Sequence, residues 1–506
     1  PLATVPLSTL LRSYFVYTCC SFPSLIDAGP ALIEWCRDTK IPGVWSLTEW
    51  VVRRTFFAQF VGAETAQGCI PLLSSLSRSN LGAILNFSAE VSNEDVKKSS
   101  ANESPLFDEL VDEVINAIDV AAHVSQLPAD YGATTDEERA ALKARPNRDG
   151  SMMVAVKLSG LLRDASILER ASSAIVSREH FSSPPHPFPP VSVNGKVGPC
   201  AGLAIPIAAL DRTDVEGLRA LWAAMQKIAS HARQLGGVVT LLVDAEYSWY
   251  QPAIDAFFES IAAEYNKLSS PTASQGPLIY NTFQAYLRRT PSHLQASLER
   301  AKSGGYSLGV KLVRGAYVDY ENQQWRKRVV DPPPSLAAAR EGHVWSSKTL
   351  TDQCFDGCAR RLVDEIHLDL LHTRRPPSLG VIFASHNTES AQAVIEQMAS
   401  SGLAQPPLPA GDYPLALAPH VRGRLFFAQL YGMSDQLTRT LQSTFDPLSG
   451  GPGPHLVQKY VPYGSLKLVM PYLIRRAQEN KSVMGGGKAR AERKELAREI
   501  RSRFSL

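Results

Sequence analysis

Gln458-Lys459-Tyr460-Val461-Pro462-Tyr463-Gly464, continued by the run from Ser465 to Asn480, decides how this chain is read. The first part is an extended segment that Gly464 breaks, and Ser465 is suited to N-cap a helix over the second part. Leu466, Val469, Leu473 and Ala477 recur at helical spacing and predict a face turned to a core. Tyr472, Arg475, Arg476 and Glu479 fall at i, i+3, i+4 and i+7 and share a second face. Two adjacent guanidiniums offer a planar donor array for a carboxylate or phosphate, and Glu479, one turn on, can hold them. An isolated Arg-Arg more often belongs to a solvated helix. Tyr460 and Tyr472 on the approach weigh toward a built site. So does Pro471, which inside a helix costs about 3 kcal/mol and predicts a kink.

Working outward, the same strand-then-helix unit recurs upstream. The expected strands are 81–90, 152–157, 238–243, 278–284, 307–315, 379–386, 425–430 and 456–461. Helices are expected at 106–126, 213–234, 252–267, 292–303 and 354–371, with a helical region over 7–67. Nearly all-apolar strands suit a parallel sheet buried on both faces, and eight of them, most followed by a helix, predict an α/β parallel barrel. A Rossmann sheet competes, but no G-x-G-x-x-G follows a strand and no P-loop appears. Proline-rich spacers at 182–207, 332–334, 406–414 and 447–454 read as surface loops without chemistry.

Apolar content of 44% and charged content of 20% fit a globular enzyme. A net charge of +3 argues against a nucleic-acid partner. Seven cysteines, an odd number at irregular spacing, match no zinc or disulfide framework and predict buried thiols in a reducing compartment. No run of about 18 apolar residues predicts a spanning helix. The chain opens on Pro1, so a processed or truncated form is expected, and Arg12 is the only base in the first 26 residues, too few for a targeting peptide.

In parallel barrels the chemistry sits at the C-terminal strand ends. Those ends supply Lys157, Asp244, Gln284, Lys311 with Arg314-Gly315, Ser385-His386, Leu430 and Tyr460. Taken singly, each has a plain structural explanation: a rim lysine, a helix-capping aspartate, a core histidine. As a set they are hard to assign to packing.

Tyr-Val-Pro-Tyr-Gly (460–464) with Pro-Tyr-Leu-Ile-Arg-Arg-Ala-Gln-Glu-Asn (471–480) resembles the last strand and helix of the proline dehydrogenase (proline oxidase) family. Val-Lys-Leu-Val-Arg-Gly-Ala-Tyr (310–317), Phe-Ala-Ser-His-Asn (383–387), Asp244-Ala245 and Gln284 resemble its flavin and active-site motifs, in the family's order. The resemblance spans roughly 50–480. It implies a distorted (βα)8 TIM-type barrel over 76–480, a helical arm over 1–75 and a basic tail over 481–506. It further implies FAD held by Ala245, Gln284, Val313, Arg314, Gly315, Ala316, Ser385, His386, Asn387 and Glu479. Substrate contacts would come from Lys157, Leu430, Tyr460, Tyr472, Arg475 and Arg476, with Asp244 and Lys311 beside the reacting centre. The activity implied is hydride transfer from L-proline to flavin N5, giving 1-pyrroline-5-carboxylate, with ubiquinone or another quinone as acceptor and no metal. Eukaryotic-type members place this on the matrix side of the mitochondrial inner membrane, as peripheral proteins.

Two departures stand out. Many bacterial members have arginine where this chain has Lys311, so a bidentate fork is lost. Val318 stands where some carry a tryptophan beside the adenine. The tail helix Lys488–Phe504 is basic enough to touch anionic lipid, or else it packs on the barrel as a solvated helix. Competing functions are a hydroxyproline dehydrogenase on the same fold, a Schiff-base barrel lyase using Lys157 or Lys311 without flavin, and a catalytically inactive scaffold. A phenol at Tyr460 leaves little room for a ring hydroxyl and favours proline.

Overall fold

The computed structural model describes residues 5–39, 41–88, 106–128, 130–133, 135–143, 152–179, 210–269, 276–328, 343–373, 378–407, 413–447, 454–484 and 488–504. The expected end of the first strand at Ala89-Glu90, the 182–207 excursion, the 332–334 loop and parts of the other two spacers lie outside the described residues.

Eight parallel strands close into a barrel: β1 (Gly82–Phe87), β2 (Met152–Val156), β3 (Val239–Val243), β4 (Ile279–Gln284), β5 (Leu308–Val313), β6 (Leu379–Ala384), β7 (Leu425–Leu430) and β8 (Val457–Tyr463). Each pairs with its neighbours in sequence, and β8 returns to β1 with Ile84 opposite Tyr460. Residues alternate between two layers, as a period of two requires. Ile84, Met153, Leu242, Tyr280, Ile382 and Phe426 fill the barrel interior. Leu85, Val154, Leu241, Phe283, Val310 and Phe427 face the surrounding helices. Tyr280 crosses the interior floor, which forces glycine nearby. A Cβ at Gly309 would lie 2.6 Å from the Ile279 carbonyl and 2.7 Å from the Tyr280 ring.

The expected strands are all present with shifted ends. β8 runs past Val461 through Pro462 to Tyr463. Its pairing with β7 stops at Tyr460, and beyond that the Pro462 carbonyl accepts from Gly62 N–H at 2.8 Å, so the proline breaks no ladder. β5 and β6 end before Arg314 and Ser385, which therefore lie on loops. Helices Ser166–Glu179, Thr388–Ser400 and Asp435–Thr444, not anticipated from periodicity, complete the units after β2, β6 and β7. A two-stranded ribbon, Ala404–Gln405 with Ala416–Leu417, lies between β6 and β7.

The distortion is in the last unit. Helix Leu466–Met484 buries Leu466, Val469, Leu473 and Ala477, the expected face, against Val16, Cys20, Ile26, Phe57 and Phe60 of the N-terminal arm. It runs on through Pro471. The arm is tied down at the β7 exit: the Gly432 carbonyl accepts from Tyr17 Oη at 2.9 Å and Gln59 Nε2 at 3.0 Å. The tail helix packs on the arm through Leu10, Tyr17 and Leu496, and its Glu495 meets Arg439 of the barrel helix Asp435–Thr444 at 3.0 Å, so it rests on both.

Candidate active site

Interior phase carries side chains to the barrel mouth. Lys157 follows Met153 and Ala155 by twos; Asp244 follows Leu242, Gln284 follows Tyr280, Leu430 follows Phe426 and Ala428, and Tyr460 shares the interior phase on β8. Lys311 lies in phase with Gly309 on β5. The alternation that builds the core thus delivers polar groups from several strands to one end.

Three of them meet. Asp244 and Lys311 are 7% and 6% exposed, so neither charge is compensated by water. Lys311 Nζ donates to Asp244 Oδ1, while Tyr460 Oη donates to Asp244 Oδ2 at 2.5 Å. Lys311 Nζ also lies 5.0 Å from the Tyr460 ring centroid. A buried ion pair holds only when its remaining lone pairs are used, and the phenol uses one. Burial holds the Tyr460 phenol well above its usual pKa, with Asp244, Tyr472 and Tyr317 close enough to add to it. The group is therefore a fixed donor and not a proton source.

The last helix brings its second face to this cluster. Arg476 is 5% exposed and meets Glu479 through its two terminal nitrogens, Nη1 and Nη2, each at 2.5 Å, over the Tyr472 ring at 4.9 Å. The pairing is i,i+3, and it gives Glu479 the holding role expected of it on the helix face. Arg475 lies 5.7 Å from the Tyr317 ring, on the loop after β5.

A second group lines the β4–β6 side. Gln284 Nε2 donates to the Glu246 carbonyl at 2.9 Å, and its Oε1 is buried with no hydrogen-bond partner among the described residues. Arg314 is held by Asp352 at 2.6 Å, Ser385 at 2.5 Å and Ser390 at 2.7 Å, with the Phe355 ring 4.3 Å away. Gly315 has φ +124, and a Cβ there would collide with the Tyr286 ring, so only glycine makes this turn. Asn387 caps helix Thr388–Ser400, accepting from Glu389 N–H at 3.0 Å, and its own N–H donates to Ser385 Oγ at 3.0 Å. The Leu430 N–H donates to His386 Nε2 at 3.0 Å. That bond leaves the ring proton on Nδ1. Burial, with Lys459 and Arg476 nearby, pushes the His386 pKa down to about 3, so the ring stays neutral. Val313 closes β5 and its carbonyl accepts from Ala285 N–H at 2.8 Å. Ala245 is half-buried after β3 and Ala316 is exposed after Gly315. Lys157 is half-buried, near enough to Glu246 to favour its ionised form, although burial keeps the Glu246 pKa raised overall.

Sequence reasoning did not single out Glu246, Asp352 or Tyr317. Glu246 accepts from Ser159 N–H at 2.9 Å, 87 positions away, and Asp352 meets Arg314 across 38. No local signal reports such pairs. Tyr317 ends the 310–317 motif and could have been taken from it.

Fold and mouth together define a parallel-barrel enzyme with a cationic, aromatic-walled site. The family model described as proline dehydrogenase matches residues 85–488. The chain belongs to the proline dehydrogenase family, whose members are oxidoreductases acting on proline. It is 29% identical over 499 residues to mouse hydroxyproline dehydrogenase, covering 97% of this chain and 90% of that protein. It is 26% identical over 512 residues to Arabidopsis thaliana "proline dehydrogenase 2, mitochondrial", covering 98% and 89%. It is 32% identical over 278 residues to the Caenorhabditis elegans protein named proline dehydrogenase 1, mitochondrial, covering 55% and 37%. A proline utilization A structure from Bdellovibrio bacteriovorus shares the fold at TM-score 0.56 and 16% identity, covering 92% of this chain and 38% of that one.

Proposed function

We propose that the protein is an FAD-dependent dehydrogenase that oxidises L-proline to 1-pyrroline-5-carboxylate on the matrix side of the mitochondrial inner membrane, with a quinone as acceptor. The observation that carries this reading is the double-arginine face of helix Leu466–Met484 beside the Asp244–Lys311–Tyr460 cluster at one barrel mouth. Relatives named proline dehydrogenase 1 and 2, mitochondrial, support the compartment. A lipid-soluble acceptor calls for peripheral contact with the membrane.

The residues fit a flavin. Gln284 Oε1 is a buried acceptor in need of a donor, His386 offers Nδ1–H, and the Arg314 guanidinium is a fixed cation. Ala245, Val313, Gly315, Ala316, Ser385 and Asn387 would line the same side. A flavin held by these residues would supply the acceptor for the hydride on the carbon next to nitrogen. Arg475 and Arg476, with Lys157, hold the substrate carboxylate and so fix which ring carbon is presented. Lys311 puts a positive charge where negative charge develops, and Asp244 keeps that lysine and the Tyr460 phenol in place. The substrate amine sheds its proton before the C–H bond breaks, and its lone pair then forms the C=N bond.

A second reading, oxidation of hydroxyproline, is favoured by the relatives of that name aligned over nearly the whole chain. Against it, the Tyr460 phenol has its proton committed to Asp244 and fills the β8 wall. Purified protein should be yellow, bleach with proline, and release its flavin on acid denaturation; a colourless protein rejects the flavoenzyme. Tyr460→Ser should lower kcat/KM for proline by about 10–200-fold for lost apolar contact and raise the ratio of hydroxyproline to proline turnover. An unchanged ratio would remove Tyr460 from the substrate wall. Leu430→Ala should weaken proline use without shifting the ratio.

A further inference from the structure

Each of the first three helices turns an apolar stripe to solvent. Leu7–Cys20 exposes Leu11, Tyr14 and Phe15; Pro23–Asp38 exposes Leu25, Leu32 and Trp35; Val44–Val52 exposes Leu47, Trp50 and Val51. The spacing within each stripe is helical. Trp35, Leu47 and Trp50 are 59%, 63% and 55% exposed, unlike scattered surface leucines. Nor are these residues needed for packing. The arm docks through Val16, Cys20, Ile26 and Phe57, and helix Val44–Val52 has no fully buried residue and packs on that cluster through Val52. Arg54 lies over the Trp50 ring at 5.4 Å, an amphipathic pairing of a charged head with an aromatic body.

The basic charge that favours an anionic surface lies on the tail helix; the arm itself exposes Asp27, Glu34 and Asp38 beside Arg37. Helix Lys488–Phe504 is fastened along the first helix through Leu10, Tyr17 and Leu496, with Arg503 Nη1 donating to the Val5 carbonyl at 2.8 Å. Its exposed side carries Lys494, Arg498 and Arg501 at i, i+4 and i+7, and it ends in the exposed Phe504. A second copy docked on this face would bring an identical basic stripe; an anionic surface complements it. Among the described residues no helix is long and apolar enough to cross a membrane.

We propose that the N-terminal arm and the tail helix together seat the protein on an anionic phospholipid bilayer. The apolar stripes enter the headgroup–acyl boundary and the basic stripe meets the headgroups. The arm's inner side packs on the helix that bears Tyr472, so the bilayer-bound layer is the one next to the candidate substrate helix. This deepens the peripheral reading above, and its test is separable from that of the reaction.

The full chain is to be pelleted with vesicles of phosphatidylcholine, with and without phosphatidylglycerol, while turnover is followed with a soluble acceptor dye. Wild type should bind the anionic vesicles, with a blue-shifted tryptophan emission quenched by brominated acyl chains. Trp35→Ser/Trp50→Ser should weaken binding about tenfold or more. Lys494→Gln, Arg498→Gln and Arg501→Gln should each weaken it about fivefold at low salt. All variants should keep wild-type melting and dye-linked turnover. Binding unchanged in the tryptophan variant overturns the proposal. So does a wild type that ignores vesicles, whether monomeric or held as a dimer that the same variant dissolves. Loss of turnover with vesicle binding intact would count against the reaction and leave the surface standing.

Discussion

Arg476→Met is expected to lower kcat/KM for proline by about 2–5 kcal/mol, a loss of between roughly thirty- and several-thousand-fold. Arg476 is nearly buried, braced by Glu479 at 2.5 Å and lying over Tyr472 at 4.9 Å, so its guanidinium is oriented before substrate arrives. Methionine fills similar volume and leaves Glu479, which is partly exposed, to water. The fold should therefore tolerate the change, and the loss should fall on carboxylate capture, chiefly as a raised KM. Arg476→Lys keeps a charge without the planar fork and should recover only part. Arg475→Met should cost less, because Arg475 is less buried. Flavin colour should persist in all three. Steady-state kinetics with proline checks this. An unchanged KM in Arg476→Met would return the pair to a structural role on the helix surface.

The barrel was legible because its strands are short, apolar and phased by two. That phase put Lys157, Asp244, Gln284, Lys311 and Tyr460 at one mouth before any contact was known. Their mutual bonds were not legible. Nothing local says that Tyr460 spends its proton on a carboxylate 216 positions upstream. Ser465 stands where an N-cap was expected, just before Leu466, and its carbonyl accepts from Val469 N–H at 3.1 Å. The N-terminal region misleads in a different way. Helices are expected over 7–67, and only the packed structure reveals that Leu25, Leu32, Trp35, Leu47 and Trp50 lie exposed on them. Strand ends slipped at Arg314 and Ser385 because turns there are set by distant partners, the Tyr286 ring against Gly315 and Arg314 against Ser385.

Lys311→Met is expected to destabilise the protein by about 3–5 kcal/mol, because it strands the Asp244 carboxylate in the interior with only the Tyr460 phenol as donor. Removing both charges separates stability from catalysis. Lys311→Met/Asp244→Leu replaces an ion pair by apolar groups of similar size, a change that is often neutral or stabilising, and it should melt close to wild type despite the phenol's lost acceptor. Its proline turnover should stay as low as that of Lys311→Met, since the cation near the reacting carbon is gone. Denaturant unfolding of the two single variants and the double gives the coupling energy directly. If the double variant is as unstable as the sum of the singles, Asp244 and Lys311 do not act as a pair. If it recovers turnover along with stability, the positive charge has no part in the chemistry, and the cluster serves only to hold the β3 and β5 ends together.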